Sequence, residues 1–334
     1  MGRARRPVRI SVCVAAAALV AAGLAACGSA SSSASAQHTL TLYTSVTQNT
    51  VDATLAVFRA DHPGTKVNVF RAPTGQLNAR IATDQRTGGV RADVLWVSDP
   101  LTMHGYDAQG LLSHTLPPAA ARIPADLRTP SFAGAGLLYM VLVYHAGLNP
   151  APTSWADLTR PAYRHAVALP DPAFAGSAMG ALGYFSQAKG YGAAFYRKLA
   201  ANGAVTVNSP DDVVTGVAQG RYKVGMTLLD GALAAVKKGA PVKVAWPAPG
   251  AIVIYSPIGT VRSSADPSLA RSYVNDVLSP AGQKAIAKSG KQPALPGIAA
   301  RPKAVGAHIV APAWPTLFSD KAALLREYQG IFGA

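Results

Sequence analysis

The residues best equipped for chemistry lie in the run LPDPAFAGSAMGALGYFSQAK, positions 169–189. An apolar strand at 165–169 ends at Pro170, two prolines mark a loop, and Gly176 and Ser177 then open a segment with a helical apolar stripe. A helix start leaves backbone N–H groups unpaired and carries partial positive charge, so it can hold an anion. Glycine lets a ligand approach the backbone, and the Ser177 hydroxyl can add a hydrogen bond. The same serine also suits an ordinary N-cap. Asp230 closes a strand at 222–228 and precedes Gly231. It can accept from an amine or hydroxyl of a ligand, or cap the helix that follows.

Other chemistries lack their residues. The seven histidines are scattered, and no pair has metal-ligand spacing. There is no Gly-x-Ser-x-Gly elbow, no phosphate loop ending in Gly-Lys-Ser/Thr and no dinucleotide fingerprint. Glu327 is the only glutamate, which argues against a paired-glutamate hydrolase. Neither a metal nor a cofactor is expected, and nothing supports an enzyme. The formal charge is +15, yet no basic run is interleaved with aromatics, so nucleic acid is not an expected partner. Such a charge favours anionic lipid heads, wall polymers or anionic solutes.

Positioning those residues requires an α/β sheet. A strand at 39–43, a helix at 49–60 and a strand at 66–70 form a right-handed βαβ unit with parallel pairing. A loop at 71–75, a helix at 76–83 and a strand at 92–97, apolar on both faces, extend it. In such sheets ligands sit beyond the carboxyl ends of the strands, here Thr44, Ser45 and Thr47, the loop 71–75, and Ser98 and Asp99. Thr47 and Asp99 also suit helix caps. The run 137–144 is a candidate crossover into a second lobe and 251–255 a candidate return. Between them lie a short capped helix at 152–158, helices at 191–201, 210–219 and 232–238, and a strand at 242–246. Helices at 267–278 and 280–288 follow.

The amino terminus reads as an export signal: Arg3, Arg5, Arg6 and Arg9, an apolar run at 12–24, then small residues before Cys27. The run is too short for a spanning helix. Leu24-Ala25-Ala26-Cys27 resembles the lipobox of bacterial lipoproteins, which implies an acylated Cys27. The Arg5-Arg6 pair alone does not decide between export routes. Of the two cysteines, Cys13 lies in the leader and Cys27 carries the lipid, so a mature chain has no disulfide and depends on a large core. Removing the leader leaves +11.

Thr41-Leu42-Tyr43-Thr44-Ser45, Ala92-Asp93-Val94, Ser154-Trp155-Ala156-Asp157-Leu158, Pro170-Asp171-Pro172, Lys238-Gly239-Ala240-Pro241-Val242, Ser256-Pro257 and Leu278-Ser279-Pro280-Ala281-Gly282-Gln283 occur in that order. Together they resemble the solute-binding proteins of bacterial ABC importers, in the ferric-iron and phosphonate branch of the two-lobed type 2 periplasmic-binding fold. The resemblance spans Thr39 to Pro296. It implies two lobes, each a mixed sheet flanked by helices, joined by crossover strands and closing on solute. On this reading 1–26 is the signal, 27–37 a flexible tether and 38–140 the first part of lobe 1. Lobe 2 is 141–254, the return to lobe 1 is 255–300, and 301–334 is a terminal segment of undecided lobe. It also implies a monomer, lipid-anchored on the outer face of the cytoplasmic membrane, that delivers its solute to a permease and ATPase. Family ligand positions fall on Thr44, Ser45, Thr47, Ser98, Asp99, Ala175, Gly176, Ser177, Asp230 and Gly231. Iron-binding members carry adjacent tyrosines near Asp230-Gly231, and a histidine and a glutamate where this chain has Thr47 and Ser98. Losing those hard ligands favours a small anionic solute such as a phosphonate, phosphate ester or carboxylate. Ferric iron or a ferric chelate is the alternative within the family, and a surface sensor or interaction lipoprotein the alternative outside it.

Overall fold

The computed structural model describes residues 38–298 and 307–333. The leader, Cys27 and the tether lie outside the described residues, as do 299–306 and Ala334. The first strand β1 (Thr39–Thr44), helix α1 (Gln48–Asp61) and β2 (Lys66–Arg71) make the expected parallel βαβ unit, with Leu42 opposite Val69. Helix α1 buries Val51, Leu55 and Phe58, the face its spacing predicts. Helix α2 (Thr74–Arg86), β3 (Val94–Trp96) and α3 (Pro100–Ala108) follow.

The crossover β4 (Ala133–His145) is longer than the apolar run 137–144 suggests. Beyond it come β5 (Val167–Pro170), α4 (Gly176–Gln187), α5 (Gly192–Ala201), β6 (Val205–Val207), α6 (Pro210–Ala218), β7 (Val224–Leu228), α7 (Leu229–Lys237) and β8 (Val242–Ala245). The return strand β9 (Ala251–Thr260) runs straight through Ser256-Pro257, which sequence places after the strand. A register slip between Gly134 and Gly136 opposite Pro257 absorbs the missing N–H. The chain ends in α8 (Pro267–Leu278), α9 (Pro280–Lys288), β10 (Gln292–Pro293), β11 (Ile309–Val310), α10 (Trp314–Leu317) and α11 (Lys321–Phe332).

The principal strand order is β2-β1-β3-β9-β4-β7-β5-β6. The sheet therefore changes lobe at β9 and β4, which pair antiparallel to each other along most of their length. One core gathers α1, α8 and the inner face of β1 and β3 around Phe58, Trp96 and Tyr273. A second joins α2 and α3 to α4, α5 and α11 through Leu77, Leu101, Phe185 and Tyr328. Helix α4 is buried over ten of its twelve residues, so its orientation is set by packing on all sides. The short helix after Pro152 is a 3-10 turn, Trp155–Thr159, closed by a reciprocal capping box between Ser154 and Asp157. Burial raises the Asp157 carboxyl, but hydrogen bonds from Thr153 and Ser154 outweigh it and hold the group below the usual range.

Candidate functional site

Where the lobes meet, a cavity of about 210 Å³ is lined by Ser45, Thr47, Arg71, Thr74, Ser98 and Phe174 on one part of its wall. Ala175, Gly176, Ser177, Asn208, Ser209, Asp211 and Asp230 line the rest. Five helices begin there. The residues that precede α1, α2, α4, α6 and α7 (Thr47, Pro73, Ala175, Ser209 and Leu228) all reach the cavity. Each start contributes roughly half a positive charge. Helices α1, α2 and α4 carry no acid in the first turn, whereas α6 carries Asp211 and Asp212 and α7 carries Asp230. The cavity thus combines uncompensated helix starts and Arg71 with the carboxylates of Asp211 and Asp230.

A hydroxyl chain crosses the junction. Ser45 Oγ donates to Ser98 Oγ at 3.2 Å and accepts from the Ser98 N–H at 3.1 Å, and Thr74 Oγ1 lies 3.3 Å from Ser98 Oγ. Thr74 Oγ1 accepts the Gly176 N–H at 3.3 Å. The Gly75 N–H donates to the Phe174 carbonyl at 3.1 Å, a second bridge between the lobes. Both glycines are required by closeness. A Cβ on Gly176 would stand 2.2 Å from Asp99 Oδ2, and one on Gly75 would stand 2.7 Å from the Ala173 carbonyl oxygen. The first amide of α4 is therefore already bonded. Ser177, the next residue of that helix start, is buried and lines the cavity.

Of the residues singled out from sequence, Ser45, Thr47, Ser98, Ala175, Gly176, Ser177 and Asp230 come together on the cavity wall. Thr44, Asp99 and Gly231 do not. The Thr44 hydroxyl donates to the Trp96 carbonyl at 2.8 Å and fixes the turn that carries Ser45. Asp99 Oδ1 caps α3 through the Thr102 N–H at 2.7 Å, while its Oδ2 is buried without a partner. Burial pushes the Asp99 carboxyl up, against the pull of Lys321 and the Thr102 amide. Gly231 leaves room for Asp211, whose Oδ1 lies 2.7 Å from where its Cβ would be. Helix α7 also starts earlier than expected. Asp230 lies within its first turn rather than ahead of it, which an acid favours at a helix start.

Sequence reading missed Arg71, Thr74, Asn208, Ser209 and Asp211. Arg71 and Thr74 lie in the loop 71–75, already marked as a strand end, and Arg71 Nε is steered by the Val46 carbonyl at 2.7 Å. Ser209 caps α6 by accepting the Asp212 N–H at 3.1 Å. Its signal, Ser-Pro-Asp-Asp, is legible, but the three-residue strand β6 before it is too short to show a period. Asp211 is exposed and lines the cavity. Desolvation in that recess, followed by the neighbouring Asp230 charge, raises its carboxyl above the usual range, with Arg71 and Lys291 pulling the other way.

Comparison with known proteins now defines the class. The family described as bacterial extracellular solute-binding protein matches residues 40–292, and the chain belongs to it. Such proteins serve ABC importers, binding small solutes and working with a permease. The molybdate-binding protein ModA of Mycobacterium bovis is 28% identical over 280 residues, covering 82% of this chain and 94% of its own. Among solved structures, AfuA of Actinobacillus pleuropneumoniae with fructose-6-phosphate superposes with a TM-score of 0.80 at 18% identity, over 89% of this chain and 99% of AfuA. Iron-bound HitA of Pseudomonas aeruginosa gives 0.74 at 22% identity, over 87% and 99%. The fold is the type 2 periplasmic-binding fold with two lobes, as the sequence resemblance implies. Among the described residues no helix is long and apolar enough to cross a membrane, and no three His, Cys, Asp or Glu side chains group as metal ligands.

Proposed function

We propose that this protein captures a small organic anion in the cavity between its lobes and presents it to an ABC permease, tethered to the outer face of the membrane by a lipid on Cys27. The observation that carries this reading is the convergence of five helix starts, six hydroxyls and Arg71 on one cavity that also holds Asp211 and Asp230. The anionic head lies against Arg71, Ser45, Thr47, Thr74, Ser98 and Ser177, and the carboxylates accept hydrogen bonds from the body of the solute. Phosphate esters and phosphonates suit this pattern, and the volume lies below the roughly 300–1,000 Å³ typical of drug-sized sites. AfuA, which shares the fold, holds fructose-6-phosphate. A bare tetrahedral oxyanion is the second reading, favoured by the relationship to ModA. Hydroxyls and amides suit it equally, but it leaves the carboxylates unused. Ferric iron is disfavoured by Thr47 and Ser98, alcohols standing where hard anionic ligands would be needed.

A thermal-shift panel of phosphate esters, phosphonates, carboxylates, molybdate and ferric chelates tests the proposal. A ligand at a hundred times its Kd adds about 2.7 kcal/mol to apparent stability. Stabilisation by a phosphate ester or phosphonate is expected. Response to molybdate alone would select the second reading, and response to ferric iron without organic anion would overturn both.

A further inference from the structure

Among the described residues Lys291 is the only lysine or arginine that is buried, at 5% exposure. Its ammonium lies 3.5 Å from Asp230 Oδ2, the one carboxylate within ion-pair distance of it. A buried ammonium is costly unless a carboxylate answers it, so this pair is obligatory for Lys291. The two partners come from different lobes. Lys291 leads into β10, which pairs with Gly136 and Leu137 of β4, and follows α9, which packs on α1. Asp230 sits in the first turn of α7, which packs on β7 and β8. Arg71 ends β2 in the first lobe and Asp211 opens α6 in the second, and both line the cavity. Asp230 also lines the cavity, while Lys291 reaches that carboxylate from the adjoining groove.

We propose that Lys291 determines specificity and favours closure: by pairing with Asp230 across the lobes it reserves that carboxylate for solute hydroxyls, excludes solute ammonium groups and draws the lobes together. An ammonium placed at Asp230 would have to share it with a buried cation that has no other carboxylate, whereas a hydroxyl donates to the free oxygen without adding charge. The specificity half rests on the anionic-solute reading above, and the closure half does not.

Lys291→Met keeps the aliphatic stem, whose Cδ lies against Gly136, and removes the charge. Affinities for glycerol 3-phosphate and 2-aminoethylphosphonate are measured by calorimetry, and the solute-free lobe separation by spin-label distances. The wild type is expected to prefer the hydroxyl-bearing probe. The variant is expected to move the ratio toward the amine by about tenfold and to widen the separation. A ratio within about twofold of wild type, or a wild type that prefers the amine, overturns the specificity half. If the wild type binds neither probe, the anionic-solute reading fails, and an unchanged lobe separation in Lys291→Met then overturns the closure half independently. Should that variant not fold, Asp230→Asn with Lys291→Met buries no unpaired charge. It is expected to keep the preference for the hydroxyl probe, because a neutral amide accepts from a hydroxyl and offers an ammonium no charge, and a shift toward the amine there overturns the proposal.

Discussion

Two hollows share Asp230 and differ in almost everything else. The cavity between the lobes has a volume of about 210 Å³ and is ringed by hydroxyls, amides and three charged side chains, Arg71, Asp211 and Asp230. Beside it a groove of about 510 Å³ runs along β4 between α7, β8 and Lys291, walled by Leu137, Tyr139, Leu233, Val236, Val244 and Trp246. Size and apolarity favour the groove as a ligand site. The helix starts favour the cavity, because fixed donors aimed at one point cost no reorganisation when an anion arrives, while an apolar wall gives contact without orientation. Convergence of polar groups, rather than volume, makes the cavity the candidate site.

That contrast can be broken at several points. Gly176→Ala places a methyl group where Asp99 Oδ2, Ser98 Oγ and Thr74 Oγ1 stand, so the lobes cannot close as they do here. Solute affinity should fall by about a hundredfold or more, about 2.7 kcal/mol, in calorimetry. The fold itself should hold, since alanine suits a helix better than glycine. Affinity within about tenfold of wild type would mean that closure at α4 does not matter. Arg71→Met removes the cation beside the anionic head and should cost about 2 kcal/mol of binding, the scale of a charged hydrogen bond. An unchanged Kd would move the solute's head elsewhere. Ser177→Ala deletes the hydroxyl that the α4 start places on the cavity wall, with an expected loss of about 1 kcal/mol in binding and little in melting temperature. The smallest effect belongs to the groove. Val236, 41% exposed, can become serine with changes within about 0.5 kcal/mol in both stability and solute affinity. A large loss of affinity there would bring the groove into the site.

Local pattern carried the reading a long way. Alternation at 39–43 and 66–70 and the helical spacing of Val51, Leu55 and Phe58 are properties of a few consecutive residues, and they fold as written. The crossover β9 is the instructive miss. Ser256-Pro257 looks like a strand end because proline lacks a donor, and only the partner strand, slipping register at Gly136, makes continuation possible. The C-terminal helix α11 was equally out of reach. It docks on α4 and α5, two consecutive helices far upstream in the chain.

By itself the sequence determined the class of protein, through its resemblance to a known family, and marked the strand ends and the Gly176 helix start as candidate solute contacts. Those candidates follow from short-range sterics and hydrogen-bond capacity. Tertiary structure decided which of those groups remain available: Gly176 spends its amide on Thr74, Thr44 and Asp99 turn inward, and Arg71 and Asp211 enter the wall. It also decided that Lys291, distant in the chain from Asp230, answers that carboxylate from the opposite lobe. The reason is that availability of a polar atom is settled by its nearest neighbours in space, and at a junction between two lobes those neighbours come from parts of the chain with no local relation to one another.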